Sequence, residues 1–490
     1  NKDDFVRFRS FPNTSRKHCH FLVSALSFLL LLPLVLINFQ LENPDDLLIR
    51  TYGSWLDAFM RYTPKDGRHI ISFLNTGLFQ LGFTYPMYQV FCSATFILSF
   101  IYLINAIISI TKIDENLFKS LFFTASCILF PFMFDLYQWT SAYLIYSVGF
   151  ACIAATFYCM PRLEGPVKFL VCGSLIALAT CSYQPFILLP FVVLALCAFF
   201  KDVPPKLTAL SSQGILLASS LFFYVVYNGI LKRLWEVFSG PGDLQRTLSF
   251  QSIPSNFLRK LHTEADIFLS HGAYHNLLYK PLSLLLFCVV AGLTITAFLK
   301  FDLKLVACAL FLIIAIPTPI VLLEPEGTYW PSPRISFYIN MLFPLGLLAL
   351  LQKFTFNSTI RYGLCGILVL MCGNAFSILH HRLLQDRLDA QAAQSIFNQI
   401  ELRTDRPLLV AIDPARIQYW AFNIYELGGT IFWAPYAITP YMNEKAKKPF
   451  NPAEVTFERD DGHICPVDKD PTNPAPEPPH VLCPLYDLNW

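Results

Sequence analysis

The sequence predicts an all-α polytopic membrane protein with about 11 transmembrane helices. Of its 490 residues, 54% are hydrophobic and only 14% are charged, whereas a soluble domain carries about 25% charged residues. The mean hydropathy is +0.48. The apolar residues form runs of roughly 20, the length that crosses a bilayer core. A membrane β-barrel is expected to show short alternating segments instead.

The first apolar run covers about 19–39 and follows a basic flank that predicts a cytoplasmic N-terminus over residues 1–18. The short segments on either side of Pro185 are the weakest, and together they form either two spans or one broken helix. The positive-inside rule predicts that the lysines and arginines of the short loops lie on the cytoplasmic side. In that orientation the C-terminus lies on the outer side. The further predicted spans are 87–110, 117–134, 141–160, 168–183, 186–200, 209–230, 281–299, 305–323, 336–352 and 361–379.

The predicted organisation is a transmembrane domain over 19–380 and a periplasmic C-terminal domain over 381–490. The large outer loops are 40–86 and 231–280, and the first contains a hydrophobic stretch, Ile70–Phe83, that is typical of an interfacial helix. The C-terminal domain is expected to be small and mixed α/β. Its expected elements are a helix from His381 to about Leu402, a strand over Pro407–Ile412 and a Pro-rich tail over 466–484.

Two of the 14 cysteines, Cys465 and Cys483, lie in the hydrophilic tail, and the others lie in or beside apolar runs. Because an outer compartment such as the periplasm is oxidising, we predict that Cys465 and Cys483 form a disulfide. The alternative is two free thiols. Closing so short a loop stabilises the tail by about 3 kcal/mol in the chain-entropy model.

The first outer loop combines two adjacent carboxylates with several basic side chains close to the end of a span. A partly dehydrated carboxylate suits general-base chemistry, and an arginine fork is the natural holder of a phosphate. The loop therefore indicates a lipid-phosphate substrate; the alternative is a helix N-cap surrounded by surface arginines. The residues concerned are Asp45, Asp46, Arg50, Arg61, Arg68 and His69.

Three other outer segments are weaker candidates. The segment Asp135–Trp139 is typical of an interfacial aromatic anchor. Tyr183 and Gln184, before Pro185, could line a substrate cavity or mark a proline break. Arg334 could hold a phosphate or extend to lipid head groups.

The sequence favours neither a metal nor a nucleic-acid partner, and no cofactor is expected. His262, His271 and His275 lie in one loop, but no ligand pattern accompanies them. The net charge is +2 and no long basic stretch exists.

The predicted cytoplasmic loops are too short to bind a nucleotide sugar. A reaction at the outer face therefore needs a group activated and delivered by the lipid bilayer, which a polyprenyl-phosphate sugar provides. The enzyme must then bind the phosphate leaving group and deprotonate an acceptor hydroxyl.

The residues at these positions resemble the GtrII-type serotype-converting O-antigen glucosyltransferases of enteric bacteria, over about 20–380. This resemblance is carried by four groups of residues: Asn43-Pro44-Asp45-Asp46 with Arg50, Gly67-Arg68, Tyr183-Gln184-Pro185 and Pro333-Arg334.

The resemblance implies a GT-C-like fold in a multi-pass protein of the bacterial inner membrane. It implies transfer of glucose from undecaprenyl-phosphate glucose to O-antigen repeats at the periplasmic face. It also implies that Asp45 or Asp46 acts as the base and that Arg68 and Arg334 contact the donor phosphate. Two alternatives are a lipid-linked oligosaccharide flippase or transporter, which is expected to place charges at membrane depth, and an O-antigen polymerase.

Overall fold

The computed structural model describes residues 16–40, 69–239, 280–316, 337–352, 354, 356–401, 408–412, 414, 417, 432, 435–446, 455–459 and 481–482. Most of these residues are helical. The helices up to the sheet are α1 Arg16–Gln40, α2 His69–Gln80, α3 Tyr85–Thr111, α4 Leu117–Leu129, α5 Pro131–Gln138, α6 Tyr143–Cys159, α7 Gly165–Ser182, α8 Leu188–Cys197, α9 Pro205–Thr208, α10 Leu210–Ser239, α11 Lys280–Leu299, α12 Leu303–Ala315, α13 Ile339–Leu351 and α14 Ser358–Glu401.

Seven described helices are long and apolar enough to cross a membrane, or eight if α4 and α5 form one bent span. The seven include α1, α3, α10 and α14. Three shorter apolar segments of the described chain, among them α12 and α13, fall on further predicted spans. The all-helical membrane fold predicted from the sequence is therefore confirmed in outline, and the number of eleven crossings stays a prediction.

The structure differs from the sequence prediction inside one span, because the run 117–134 is not a single straight helix. The chain leaves α4 at Phe130, restarts at Pro131 and bends by 55°. Proline has no amide hydrogen to donate to the preceding turn and its ring excludes a continuous helix, so the break lies at this residue. The second part of the span is thus a separate short helix, α5.

The helices pack through apolar side chains with close approaches at small residues. Helices α3, α6, α7 and α10 pack in that order, and α2 lies against α7 and α10. At Gly173 of α7, an added Cβ would lie 2.5 Å from Oγ of Ser219 on α10. Small residues let membrane helices approach this closely. On the outside of α10, Phe222 and Val225 are exposed, as expected for side chains that face lipid.

The two ends of the bundle differ in composition. At one end, Arg16 contacts Asp114 with Nε 3.3 Å from Oδ2, and the Lys119 ammonium lies 5.0 Å from the ring centroid of Phe356. We call this the basic end. At the other, which we call the aromatic end, Tyr88 donates to the carbonyl oxygen of Ser141. The positive-inside rule predicts that the basic end is cytoplasmic.

Beyond the bundle, α14 continues as one helix of 44 residues, about 66 Å at the α-helical rise. The chain then forms β1 Leu408–Ile412, α15 Pro435–Lys445, β2 Val455–Arg459 and β3 Val481–Leu482. The strands form a parallel sheet in the order β2-β1-β3, with Leu408 opposite Val455. Ile396 of α14, Val410 of β1 and Tyr441 of α15 share its apolar core. The predicted strand and the continuation of the last span into the C-terminal part are both confirmed.

Candidate functional site

The aromatic end contains a fully buried carboxylate at the broken span. Asp135 lies on α5 with no exposed surface. Its Oδ1 accepts hydrogen bonds from Nε2 of Gln138, at 2.6 Å, and from Nε1 of Trp139, at 3.2 Å. The sequence favoured an interfacial anchor for this segment, but the structure places Asp135 and Trp139 inside the fold. A buried carboxylate is retained only where donors satisfy it, and this turn supplies two of them.

Aromatic rings surround this turn. Tyr143 stacks on Phe96 with ring centroids 4.5 Å apart and donates to the carbonyl oxygen of Tyr137. Tyr137 in turn donates to the carbonyl oxygen of Ile128 at 2.9 Å. These bonds tie the start of α6 and the whole of α5 to the end of α4. The backbone around Asp135 is therefore held by buried side chains, which preorganises the turn.

The Tyr183-Gln184-Pro185 segment joins this cluster from α7. Tyr183 directly follows Ser182, the last residue of α7. Its backbone is extended, with φ −155° and ψ 117°. Its ring meets Tyr146 edge to face at 5.7 Å. Tyr183 is buried and Gln184 is half-buried. The structure thus brings Tyr183 to the aromatic end, and a role for it in lining a substrate cavity stays a prediction.

Helix α2 carries polar side chains on its protein-facing side. His69, Ser72 and Asn75 are each buried, with 3%, 1% and 0% of their surface exposed. Their spacing of three residues places them on one side of the helix. Leu74 and Phe79 are exposed instead. This arrangement is the reverse of that in a water-facing helix, and the interfacial position of α2 stays a prediction.

Several buried polar side-chain atoms of α2 have no hydrogen-bond partner among the described residues. Within the described part of the chain, both ring nitrogens of His69, Oγ of Ser72 and both amide atoms of Asn75 are buried without a partner. Burial lowers the pKa of His69 below its usual value of 6.5, Lys232 lowers it further, and Glu236 acts in the opposite direction. His69 is therefore neutral at pH 7. A neutral imidazole donates one hydrogen bond and accepts one.

Helix α10 faces this row of polar groups. Trp235 meets Phe73 of α2 edge to face at 5.2 Å. Lys232 pairs with Glu236 at 3.7 Å. Asn228 lies one turn before Lys232 and two turns before Trp235, and its Oδ1 is also buried with no partner among the described residues. The sequence analysis missed Ser72, Asn75 and Asn228. The signal was present as polar residues three apart in an otherwise apolar stretch.

Most of the sequence-predicted site lies outside the described residues. This applies to the proposed base and the proposed phosphate ligands, and also to the predicted disulfide and the histidines of the second loop. These predictions are neither supported nor contradicted. The residues are Asp45, Asp46, Arg50, Arg61, Arg68, Arg334, Cys465, Cys483, His262, His271 and His275.

Of the predicted site residues, the structure therefore describes His69, Tyr183 and Gln184. His69 lies on a helix that packs against α7, and Tyr183 and Gln184 directly follow α7. The described residues contain no group of three or more His, Cys, Asp or Glu side chains placed to hold a metal ion.

Comparisons with known protein families, with curated proteins and with solved structures find no match for this chain. The resemblance carried by the loop motifs therefore stays a prediction, and the argument for function rests on the chain's own residues.

Proposed function

We propose that the chain is a membrane glucosyltransferase that takes glucose from undecaprenyl-phosphate glucose and transfers it to O-antigen repeats, changing the serotype. The observation that carries this proposal is the location of the polar groups. One group of buried polar side chains, which includes His69 and Asp135, lies at the aromatic end, where α1 ends at Gln40 and α2 begins at His69. The segment between them contains Asp45, Asp46 and Arg68.

The opposite end supports a donor that arrives through the membrane. The connections there are short: five residues separate α3 from α4, and three separate α11 from α12. Connections of this size form no nucleotide-binding domain. An activated sugar carried by a lipid reaches the aromatic end without such a domain, because its polyprenyl chain stays in the bilayer.

In the proposed reaction, Asp45 or Asp46 removes the proton of an acceptor hydroxyl. The hydroxyl oxygen attacks the anomeric carbon, and the bond from that carbon to the phosphate oxygen breaks. Undecaprenyl phosphate leaves with the electron pair, and the arginines stabilise its charge. Direct displacement inverts the anomeric configuration, so a β-linked donor gives an α-glucoside.

Each remaining predicted residue has a role in this scheme. Arg68 and Arg334 contact the departing phosphate, with Arg50 and Arg61 beside them. His69, Tyr183 and Gln184 contact the substrate.

Transfer by purified protein tests the proposal. We expect Asp45→Asn or Asp46→Asn to lower kcat for glucose transfer by about 100-fold or more, since general-base catalysis contributes 10²–10⁴-fold. Asp57→Asn, in the same loop, is the matched control and should retain activity. Full transfer by both single variants contradicts the proposal, as does an unchanged surface polysaccharide linkage when the gene is deleted.

A lipid-linked oligosaccharide transporter is a second candidate, favoured by Asp135. A carboxylate buried at a broken span is a typical element of substrate and proton pathways in transporters. Proteoliposomes separate the two functions. A transporter moves the lipid-linked sugar between leaflets with no acceptor present and loses this movement in Asp135→Asn, whereas the transferase releases undecaprenyl phosphate only when an acceptor is added.

A further inference from the structure

The row of polar groups on α2 has no structural purpose that the described residues explain. His69, Ser72 and Asn75 present five buried polar atoms, and Asn228 of α10 adds a sixth. A buried polar atom without a partner destabilises the state that contains it. The docked position of α2 therefore carries a penalty that leucine or alanine at these positions would avoid. We call the four residues His69, Ser72, Asn75 and Asn228 the polar row.

The chemistry of the polar row selects a class of ligand. The six atoms belong to amide, hydroxyl and neutral imidazole groups, and together they include donors and acceptors. None of the four side chains carries a charge, because burial and Lys232 lower the pKa of His69. Groups that each donate and accept, as sugar hydroxyls do, complement such a set. An anionic group does not, because no cation lies in the row itself.

The surroundings fit a sugar attached to a lipid. Phe73 and Trp235 lie beside the row, and aromatic faces pack against the apolar side of a pyranose. Lys232 is half-exposed near His69. Its ammonium group is placed to contact a phosphate that is linked to the sugar. On the outward side of α2, the apolar side chains of Leu74 and Phe79 are exposed.

In this structure the site is closed. Each unpartnered atom of the row is shut off from solvent, so a sugar binds only when α2 moves away from α7 and α10. The connection to α3 is short and turns at Gly82, whose φ of +84° favours glycine. The unsatisfied atoms also weaken the docked position, which lowers the free energy of opening.

We propose that α2 is a lid whose polar row binds the hydroxyl-rich head group of a membrane-embedded glycolipid between α2, α7 and α10. The inference rests on the proposed function for the identity of that head group as glucose.

Binding and thermal unfolding measured on the same variants test the proposal. In Asn75→Leu, we expect the ligand-free protein to unfold at a higher temperature, because an unpartnered amide is removed. We also expect its affinity for undecaprenyl-phosphate glucose to fall at least tenfold. Ser72→Ala, a smaller change, should act in the same direction. If the polar row instead stabilises the docked position of α2, both variants unfold at a lower temperature than the wild type. This result overturns the proposal.

Ser126→Ala is the matched control. Oγ of Ser126 on α4 is also buried without a partner among the described residues, but α4 does not carry the polar row. This variant should also gain thermal stability while keeping wild-type affinity for the glycolipid. A gain in stability alone therefore does not count as support; the loss of sugar affinity must be specific to the row.

Three probes distinguish the source of the sugar. Undecaprenyl phosphate without sugar should bind wild type and Asn75→Leu equally, because the row contacts the sugar. Methyl glucoside should bind weakly and through Asn75. If the free glucoside binds as tightly as the lipid-linked sugar, the site holds a soluble sugar and the glycolipid assignment is overturned.

Kinetics separate this inference from the proposed function. If the wild type binds the head group through Asn75 but transfers no glucose, the transferase proposal fails and the polar row stands. If transfer proceeds and Asn75→Leu leaves the donor KM unchanged, the polar row fails and the transferase stands.

Discussion

Nδ1 of His20 lies 2.7 Å from Oδ1 of Asn105, across the interface between α1 and α3. The amide nitrogen of Asn105 donates to Oγ of Ser24 at 3.0 Å, which fixes the orientation of the amide. The His20 nitrogen facing Oδ1 therefore carries the hydrogen. This chain of bonds joins the first and third helices at the basic end of the bundle.

The first prediction concerns this chain. Asn105→Leu should lower the free energy of unfolding by about 1–3 kcal/mol, because His20 and Ser24 lose their buried partner. Thermal unfolding in detergent measures the change. Ser99→Ala on the same helix is the control, and it should stay near wild type. Among the described residues, the Ser99 hydroxyl donates to the carbonyl oxygen of Phe96 one turn earlier and to no other group. A change in Asn105→Leu no larger than the control's contradicts the prediction.

The second prediction concerns the ion pair beside that chain. The side chain of Asp114 is 3% exposed and that of Arg16 is 63% exposed. We expect a double-mutant cycle of Arg16→Gln and Asp114→Asn to give a coupling of at least about 0.5 kcal/mol, because the two groups touch and one is buried. High salt should weaken it only in part, since screening acts mainly on exposed charges. Additive effects of the two variants argue against a functioning pair.

The third prediction concerns the buried carboxylate. Asp135→Leu leaves Nε2 of Gln138 and Nε1 of Trp139 without their shared acceptor, and we expect it to destabilise the protein by at least about 2 kcal/mol. Asp135→Asn keeps one oxygen for these donors and should cost less. The order of the two unfolding temperatures in detergent checks this. Equal temperatures would mean that Oδ1 does not hold the turn.

The fourth prediction concerns helix spacing. A Cβ added at Gly346 of α13 would lie 2.6 Å from Cγ1 of Val289 on α11, and a valine side chain is stiff. Gly346→Ala should therefore destabilise the bundle by about 1–3 kcal/mol through overpacking. Gly214→Ala on α10 is the matched control, because an added Cβ there meets nothing within 4 Å. It should be neutral or stabilising by up to about 1 kcal/mol.

The sequence predicted most of the described helices, whereas it did not predict how their side chains are buried, for physical reasons. Long apolar runs determine where helices such as α3 and α10 form, because lipid imposes that length on any span. The sequence analysis did not predict the bend before Pro131, because the apolar run continues through it. The burial of Asp135 and the inward side of α2 depend on neighbours far along the chain, such as Trp235, and no local pattern shows which helices meet.

The last prediction is a pH dependence of α2 docking. Because burial and Lys232 lower the pKa of His69 in the docked state, lowering the pH through the usual value of 6.5 adds a proton preferentially to the undocked state. Docking should weaken as the pH falls through 6.5 and should not vary at a pH well above this value, where both states are neutral. Hydrogen exchange of the amides of 69–80 at pH 5.5 and 7.5, corrected for intrinsic rates, measures this.

Two variants on opposite helices identify the titrating group. His69→Gln removes the ionisation and should abolish the pH dependence. Lys232→Gln removes a nearby cation, so the His69 pKa moves back towards its usual value and the dependence becomes smaller. Glu236→Gln removes the opposing carboxylate and should enlarge the pH dependence. The same pH dependence in His69→Gln as in the wild type would place the titration elsewhere. A pH dependence that changes in this order among the variants would show that the burial of His69, where α2 packs against α10, disfavours its protonation.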